Sequence, residues 1–177
     1  MNAKIALVAS ALALGVAGCM TPTASTPPAV TAVSTAEFVP TAVSSNLFEI
    51  RSSQLALRRS RDPQVRRFAQ QMIRDHNLAT RRMVAVMRRA GLPRPPLALN
   101  ARHQEMLASL TAAPNFDAAY LGAQTVAHQE AVGLFSAYAR TGDNPALVEF
   151  AGATVPVLEM HLNEVQALGG AAVARAM

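Results

Sequence analysis

Four side chains suited to holding a metal ion or sharing a proton occupy core positions in this sequence: Glu49, His76, His128 and His161. At about 100° per residue, Val65, Phe68, Ala69, Met72, Ala79, Met83, Val86 and Met87 make one apolar stripe. His76 lies near its middle, where a leucine would be cheaper to bury. His161 falls within the stripe of Leu147, Phe150, Ala151, Thr154, Leu158, Val165 and Leu168. His128 shares a seam with Tyr120, Gln124, Ala127, Ala131, Phe135 and Tyr138, one turn after Gln124. Glu49 has Phe48 and Leu55 on one side and Ile50 and Leu57 on the other, and the nearby Ala42, Ser45, Ser53 and Ala56 are small. The fourth histidine, His103, is expected outside these seams.

An unpaired buried carboxylate either takes up a proton or finds partners. One Glu with three His meets that need in two ways, and the residues leave both open. The four can form a hydrogen-bonded polar layer. They can equally ligate one divalent transition ion, since imidazole and carboxylate suit Zn, Fe, Mn or Cu. Asp75 and Gln124 are candidate second partners of such a centre. Met72, one turn before His76, offers a thioether for a copper variant of the site, although methionines at this spacing are ordinarily core filler. Counted from the hairpin turns, Glu49 and His76 should be level, while His128 and His161 should miss each other by about one turn, roughly 6 Å. Pro156 can distort that stretch and reduce the offset.

The elements that position these groups are four helices of roughly 25 residues and one short one. Ser34 to Glu37 reads as a capping box opening a helix to about Ser60. Asp62 and Pro63 start a second helix, which stops at Gly91. A short helix follows Asn100 within a connection broken by "GLPRPPLALN". The third long helix runs from Asn115 to Arg140, and the fourth from Asn144 and Pro145 to about Leu168, before Gly169 and Gly170. Two short links and one long connection make an all-α four-helix bundle of two antiparallel hairpins. "DPQVRRFA" and "NPALVEFA" match in register, as in a weak internal duplication.

The 177 residues are 51% hydrophobic and 15% charged, with no Trp, which fits one domain with an Ala-, Leu- and Val-rich helical core. Residues 1–18 read as an export signal: Lys4, an apolar run too short to span a bilayer, then small residues. Val16, Ala17, Gly18 and Cys19 resemble the lipobox of bacterial lipoproteins. That resemblance implies lipidation of Cys19, the only cysteine in the chain, and an anchored protein. With Met20 after it, it further implies the periplasmic side of an outer membrane. Residues 19–34, rich in Pro, Thr, Ser and Ala, read as a tether, residues 35–170 as the bundle and residues 171–177 as a flexible tail. Between Arg51 and Arg94 twelve arginines face two acids, and beyond Pro95 three arginines face seven. An exported chain without interleaved aromatics gives no nucleic-acid reading. The basic region 51–94 is a solvated face, a partner of the acidic half or a contact for anionic lipid headgroups.

"NLFEIRSSQLAL", "FAQQMIRDH", "FDAAYLGAQTVAHQEAV" and "FAGATVPVLEMHL" resemble the domain-of-unknown-function family numbered 4142, over about Ala36 to Leu168. The resemblance implies a ferritin-like four-helix bundle in the cell envelope and brings no established activity. Ferritin-like di-iron sites take Glu from two helices and Glu-x-x-His from the other two. Here Ile73 stands three residues before His76, Leu158 before His161, and His128 where a Glu is expected; four carboxylates have shrunk to one, which speaks against a di-iron oxidase or iron store. There is no nucleophile elbow, phosphate loop, CxxC or HExxH. The expectation is an envelope lipoprotein, non-enzymatic or of unknown activity, with a candidate single-metal site of Glu49, His76, His128 and His161. The alternatives are a structural or partner-binding protein whose polar layer holds no metal, and a metal-dependent redox or stress-defence enzyme.

Overall fold

The computed structural model describes residues 32–176, and within them every regular element is a helix. These are α1 (Thr35–Arg59), α2 (Pro63–Arg89), α3 (Ala101–Ala112), α4 (Phe116–Thr141) and α5 (Pro145–Ala176). The export signal, Cys19 and the tether up to residue 31 lie outside the described residues.

Each helix begins where a side chain caps it. Ser34 Oγ accepts from the Glu37 amide while Glu37 Oε2 accepts from the Ser34 amide, the reciprocal pair expected. Asp62 Oδ1 accepts from the amides of Gln64 and Val65 at 2.7 and 3.2 Å, with Pro63 at the first helical position. Asn100, Asn115 and Asn144 accept in the same way from His103, Ala118 and Leu147. Gly91, at φ 69°, ends α2 in the left-handed region, and the next amide, of Leu92, returns to the Met87 carbonyl. The duplicated segments behave alike: Val65 and Phe68 of α2 are buried, as are Leu147 and Phe150 of α5.

One helix end departs from expectation. α5 does not stop at Leu168 but continues through Gly169 and Gly170 to Ala176, so residues 171–176 are helix rather than tail. Neither glycine has the positive φ that a helix-ending glycine needs, and the Ala-rich segment behind them has high helix propensity.

α1 packs against α2 and α4, and α5 against α4 and α2, so the helices go round the bundle in the order α1, α2, α5, α4. α3 lies across the seam between α1 and α4. Arg59, at the end of α1, secures it: its guanidinium donates to the carbonyls of Thr111 and Ala113 and lies over the Phe116 ring at 4.7 Å. At the other end, Thr35 Oγ1 and the Tyr138 hydroxyl meet at 2.6 Å, and Phe38 stacks on Tyr138. These contacts tie the start of α1 to the α4–α5 turn.

Two apolar clusters fill the ends of the bundle. Phe38, Met83, Phe135, Leu147 and Leu158 belong to one, and Phe68, Met72, Tyr120, Leu121 and Val165 to the other. Asn46, Glu49, Ser52, Ser53, His76, Gln124, His128 and His161 are all buried, on the helix turns between those that supply the two clusters. They form a polar layer of the core.

Candidate metal centre

His76, His128 and His161 meet in this layer. Their ring centroids are 5.6, 5.5 and 5.4 Å apart, close to an equilateral triangle, and one ring nitrogen from each lies within 4.8 Å of the other two. The one-turn offset expected between His128 and His161 does not separate the rings. Side chains lean toward the N-terminus of their own helix, so His128 leans away from the α4–α5 turn and His161 toward it.

Each ring is oriented by an oxygen acceptor. His76 Nδ1 donates to Asn46 Oδ1 at 2.8 Å, His128 Nδ1 to the Gln124 carbonyl at 2.9 Å, and His161 Nε2 to Asp75 Oδ2 at 3.0 Å. These bonds assign the proton to the outer nitrogen of every ring. The remaining nitrogens, His76 Nε2, His128 Nε2 and His161 Nδ1, are buried and have no hydrogen-bond partner. Burial favours the uncharged form of all three rings. Burial pushes His76 well below its ordinary value, aided by the two neighbouring imidazoles. Burial likewise lowers His128 to about 4 and lowers His161, with Asp75 opposing the latter shift. Three desolvated lone pairs without donors are costly to the fold, and a cation accepting all three removes that penalty. The donor set and its hydrogen-bonded outer nitrogens are those of an imidazole metal centre.

Glu49 is fully buried but stands beside the trio, not within it. Its Oε1 is 3.6 Å from His128 Nδ1, the outer nitrogen, and neither carboxylate oxygen has a hydrogen-bond partner. Burial raises its pKa to about 8, with the Gln124 amide opposing, so at neutral pH it holds a proton. α1 meets His76 through Asn46, one turn before Glu49.

Asp75 and Gln124 both contact the histidines, Gln124 through its main-chain carbonyl; its side chain donates to Ser52 Oγ at 2.9 Å. Met72 packs in the apolar cluster with Phe68 and Tyr120. Asn46 escaped the sequence reading, although it stands three residues before Glu49 on the same helix. So did the burial of His103, which accepts at Nδ1 from Ser44 Oγ at 2.6 Å and stacks on Phe48. α3 brings it against α1, a tertiary placement that helical periodicity does not reveal.

A four-helix bundle with three converging imidazoles in its core is thus the class of molecule that fold and site define. The chain belongs to the family DUF4142, a domain of unknown function, whose model matches residues 19–168. No curated protein matches the sequence. Among solved structures, CopM in the Cu(II)-bound form is similar at 18% identity and a TM-score of 0.67, covering 78% of this chain and 97% of that one. CopM in the Cu(I)-bound form has 20% identity and a TM-score of 0.61, covering 74% and 91%. A DUF305 fragment from Deinococcus radiodurans has 20% identity and a TM-score of 0.64, covering 75% and 93%. At such identities the likeness is one of fold.

Proposed function

We propose that this protein binds one transition-metal ion, copper first among them, through His76 Nε2, His128 Nε2 and His161 Nδ1, and that it does so as a binding protein of the cell envelope and not as an enzyme. The observation that carries this reading is that the three rings converge, one nitrogen of each within 4.8 Å of the others, and that each ring keeps one buried nitrogen without a hydrogen-bond partner. A polar layer serving only to fix helix register would pair those nitrogens with donors. Copper is favoured because imidazole suits it and because structures of the same fold hold Cu(I), Cu(II) and Ag. Binding is favoured over catalysis because the three histidines are at most 3% exposed, which shuts out an organic substrate.

The envelope part of the proposal rests on the lipobox and on Cys19 as the lipidated residue, and Cys19→Ala should abolish labelling by radioactive palmitate. Among the described residues no helix is long and apolar enough to cross a membrane. Arg67, Arg74, Arg81 and Arg88, exposed at seven-residue spacing along α2, suit anionic headgroups.

The test is elemental analysis of the purified protein after exposure to Fe, Zn and Cu. About one ion per chain is expected for copper, lost in His76→Ala while the helical circular dichroism remains. Fewer than about 0.1 ions per chain in the wild type overturns the proposal.

A further inference from the structure

The polar groups around the three histidines differ in one respect. Asn46, Glu49 and Gln124 are sealed, at most 5% exposed, whereas a third of the Asp75 side chain reaches solvent. Asp75 lines a groove of about 270 Å³ between α2 and α5. Leu78, Arg82, Ala153, Val157 and Met160 also line it. Three of the five large apolar side chains exposed on the described surface, Leu78, Val157 and Met160, are gathered there. Met160 directly precedes His161, and Asp75 directly precedes His76.

We propose that the ion enters and leaves through this α2–α5 groove, with Asp75 as the latch, an inference that rests on the metal-binding reading above. Asp75 Oδ2 holds His161 Nε2 at 3.0 Å. Breaking that single, partly exposed bond frees the His161 ring to turn outward and expose the centre without parting two helices. Approach beside Asn46 or Gln124 would instead require opening the packed seams of α1. The rim supplies donors matched to a soft or borderline cation: the Met160 thioether, 48% exposed, and the Asp75 carboxylate. Arg82 is the one cation among the lining residues and opposes capture.

The experiment is stopped-flow transfer of Cu(I) from the loaded full chain to a bicinchoninate chelator. Val157→Trp fills the groove from a half-exposed position that tolerates a large side chain. It should slow transfer about tenfold with copper content unchanged, because the ring must open into the filled space. Val126→Trp, in the separate groove beneath α3, is the control of equal bulk and should leave the rate unchanged. Asp75→Asn, with its weaker hold on His161, should release copper about tenfold faster. Arg82→Gln should speed capture of Cu(I) at low salt. Equal rates for wild type and Val157→Trp, or slowing by both Trp variants alike, overturn the route while the metal site stands. A wild type that takes up no copper overturns both readings together.

Discussion

His103 and His76 are equally hidden, at 5% and 3% exposure, and burial depresses the pKa of both, yet the fold treats them differently. Ser44 accepts from the Asn100 amide at 2.8 Å, which directs its own hydroxyl proton onto His103 Nδ1. Neither nitrogen of His103 is then a buried atom lacking a partner. His76 is bonded only through Nδ1, to Asn46, and its Nε2 is buried without a partner, as is one nitrogen of each of the two neighbouring rings. Burial therefore does not distinguish a ligand from a structural histidine. The proposed metal binding draws the distinction elsewhere, at an unclaimed lone pair among others of its kind, whose penalty an ion would remove.

The largest effect expected from this contrast is on metal affinity. His128→Ala removes one of the three proposed ligands and should weaken copper binding by at least about a hundredfold, measured by competition with a calibrated chelator. His103→Ala should leave that affinity unchanged and instead lower the thermal midpoint, since it leaves the Ser44 hydroxyl unpaired and vacates space against Phe48, a loss of about 2 kcal/mol. Equal loss of affinity in both variants breaks the distinction.

The next effect is on the pH dependence of the metal-free protein. His128 is displaced to about 4 from 6.5, and His76 and His161 in the same direction. The stability associated with keeping these rings neutral is present above pH 6.5 and is lost as pH falls toward 4, because the unfolded chain then binds the extra protons. Glu49 is displaced the other way, from 4.5 to about 8. Its contribution is complete below 4.5 and is lost as pH rises through 8, at about 1.4 kcal/mol per pH unit. Urea midpoints should therefore peak near pH 6.5, and Glu49→Gln should flatten the alkaline arm and steepen the acid arm between pH 4.5 and 6.5, where Glu49 opposes the histidines. A wild-type midpoint that stays level from about pH 7 to 8.5 contradicts the proton on Glu49.

What could be read in the sequence follows the same division. Helix starts are local, because Asp62–Pro63 and Asn144–Pro145 carry their caps beside them, and structure and sequence agree there. The stripe positions of His76, His128 and His161 are also local, since 3.6 residues per turn fixes a face. Which nitrogen points inward is local for His128, held by the Gln124 carbonyl one turn earlier, but not for His76 and His161, which depend on Asn46 and Asp75 arriving from other helices. Glu49 shares its helix face with Asn46, and the register between α1 and α2 decides which of them meets His76. The burial of His103 depends on where α3 comes to rest over α1, which no pattern within α3 specifies. The glycines that were expected to end α5 show the limit of a local signal when the chain beyond them is itself a good helix former.

A smaller effect sharpens the role of the orienting groups. Asn46→Ala leaves the His76 ring in place but takes the acceptor from its Nδ1–H, so the ring can turn and its inner lone pair is no longer fixed. Copper affinity should fall about tenfold, with the stoichiometry kept. An unchanged affinity would mean that packing alone orients the ring.

The smallest effect is at the structural histidine. Ser44→Ala removes the hydroxyl that joins the Asn100 amide to His103 Nδ1, leaving a donor at the start of α3 and an acceptor within it both unmet. About 1 to 2 kcal/mol of stability should be lost, read as a lower urea midpoint with copper binding untouched. Because α3 joins the two hairpins and lies over α1 and α4, the loss should appear first as faster amide exchange in α3. If exchange instead quickens around His128 and His161, the two histidine environments are coupled through α1, and the separation drawn between them fails.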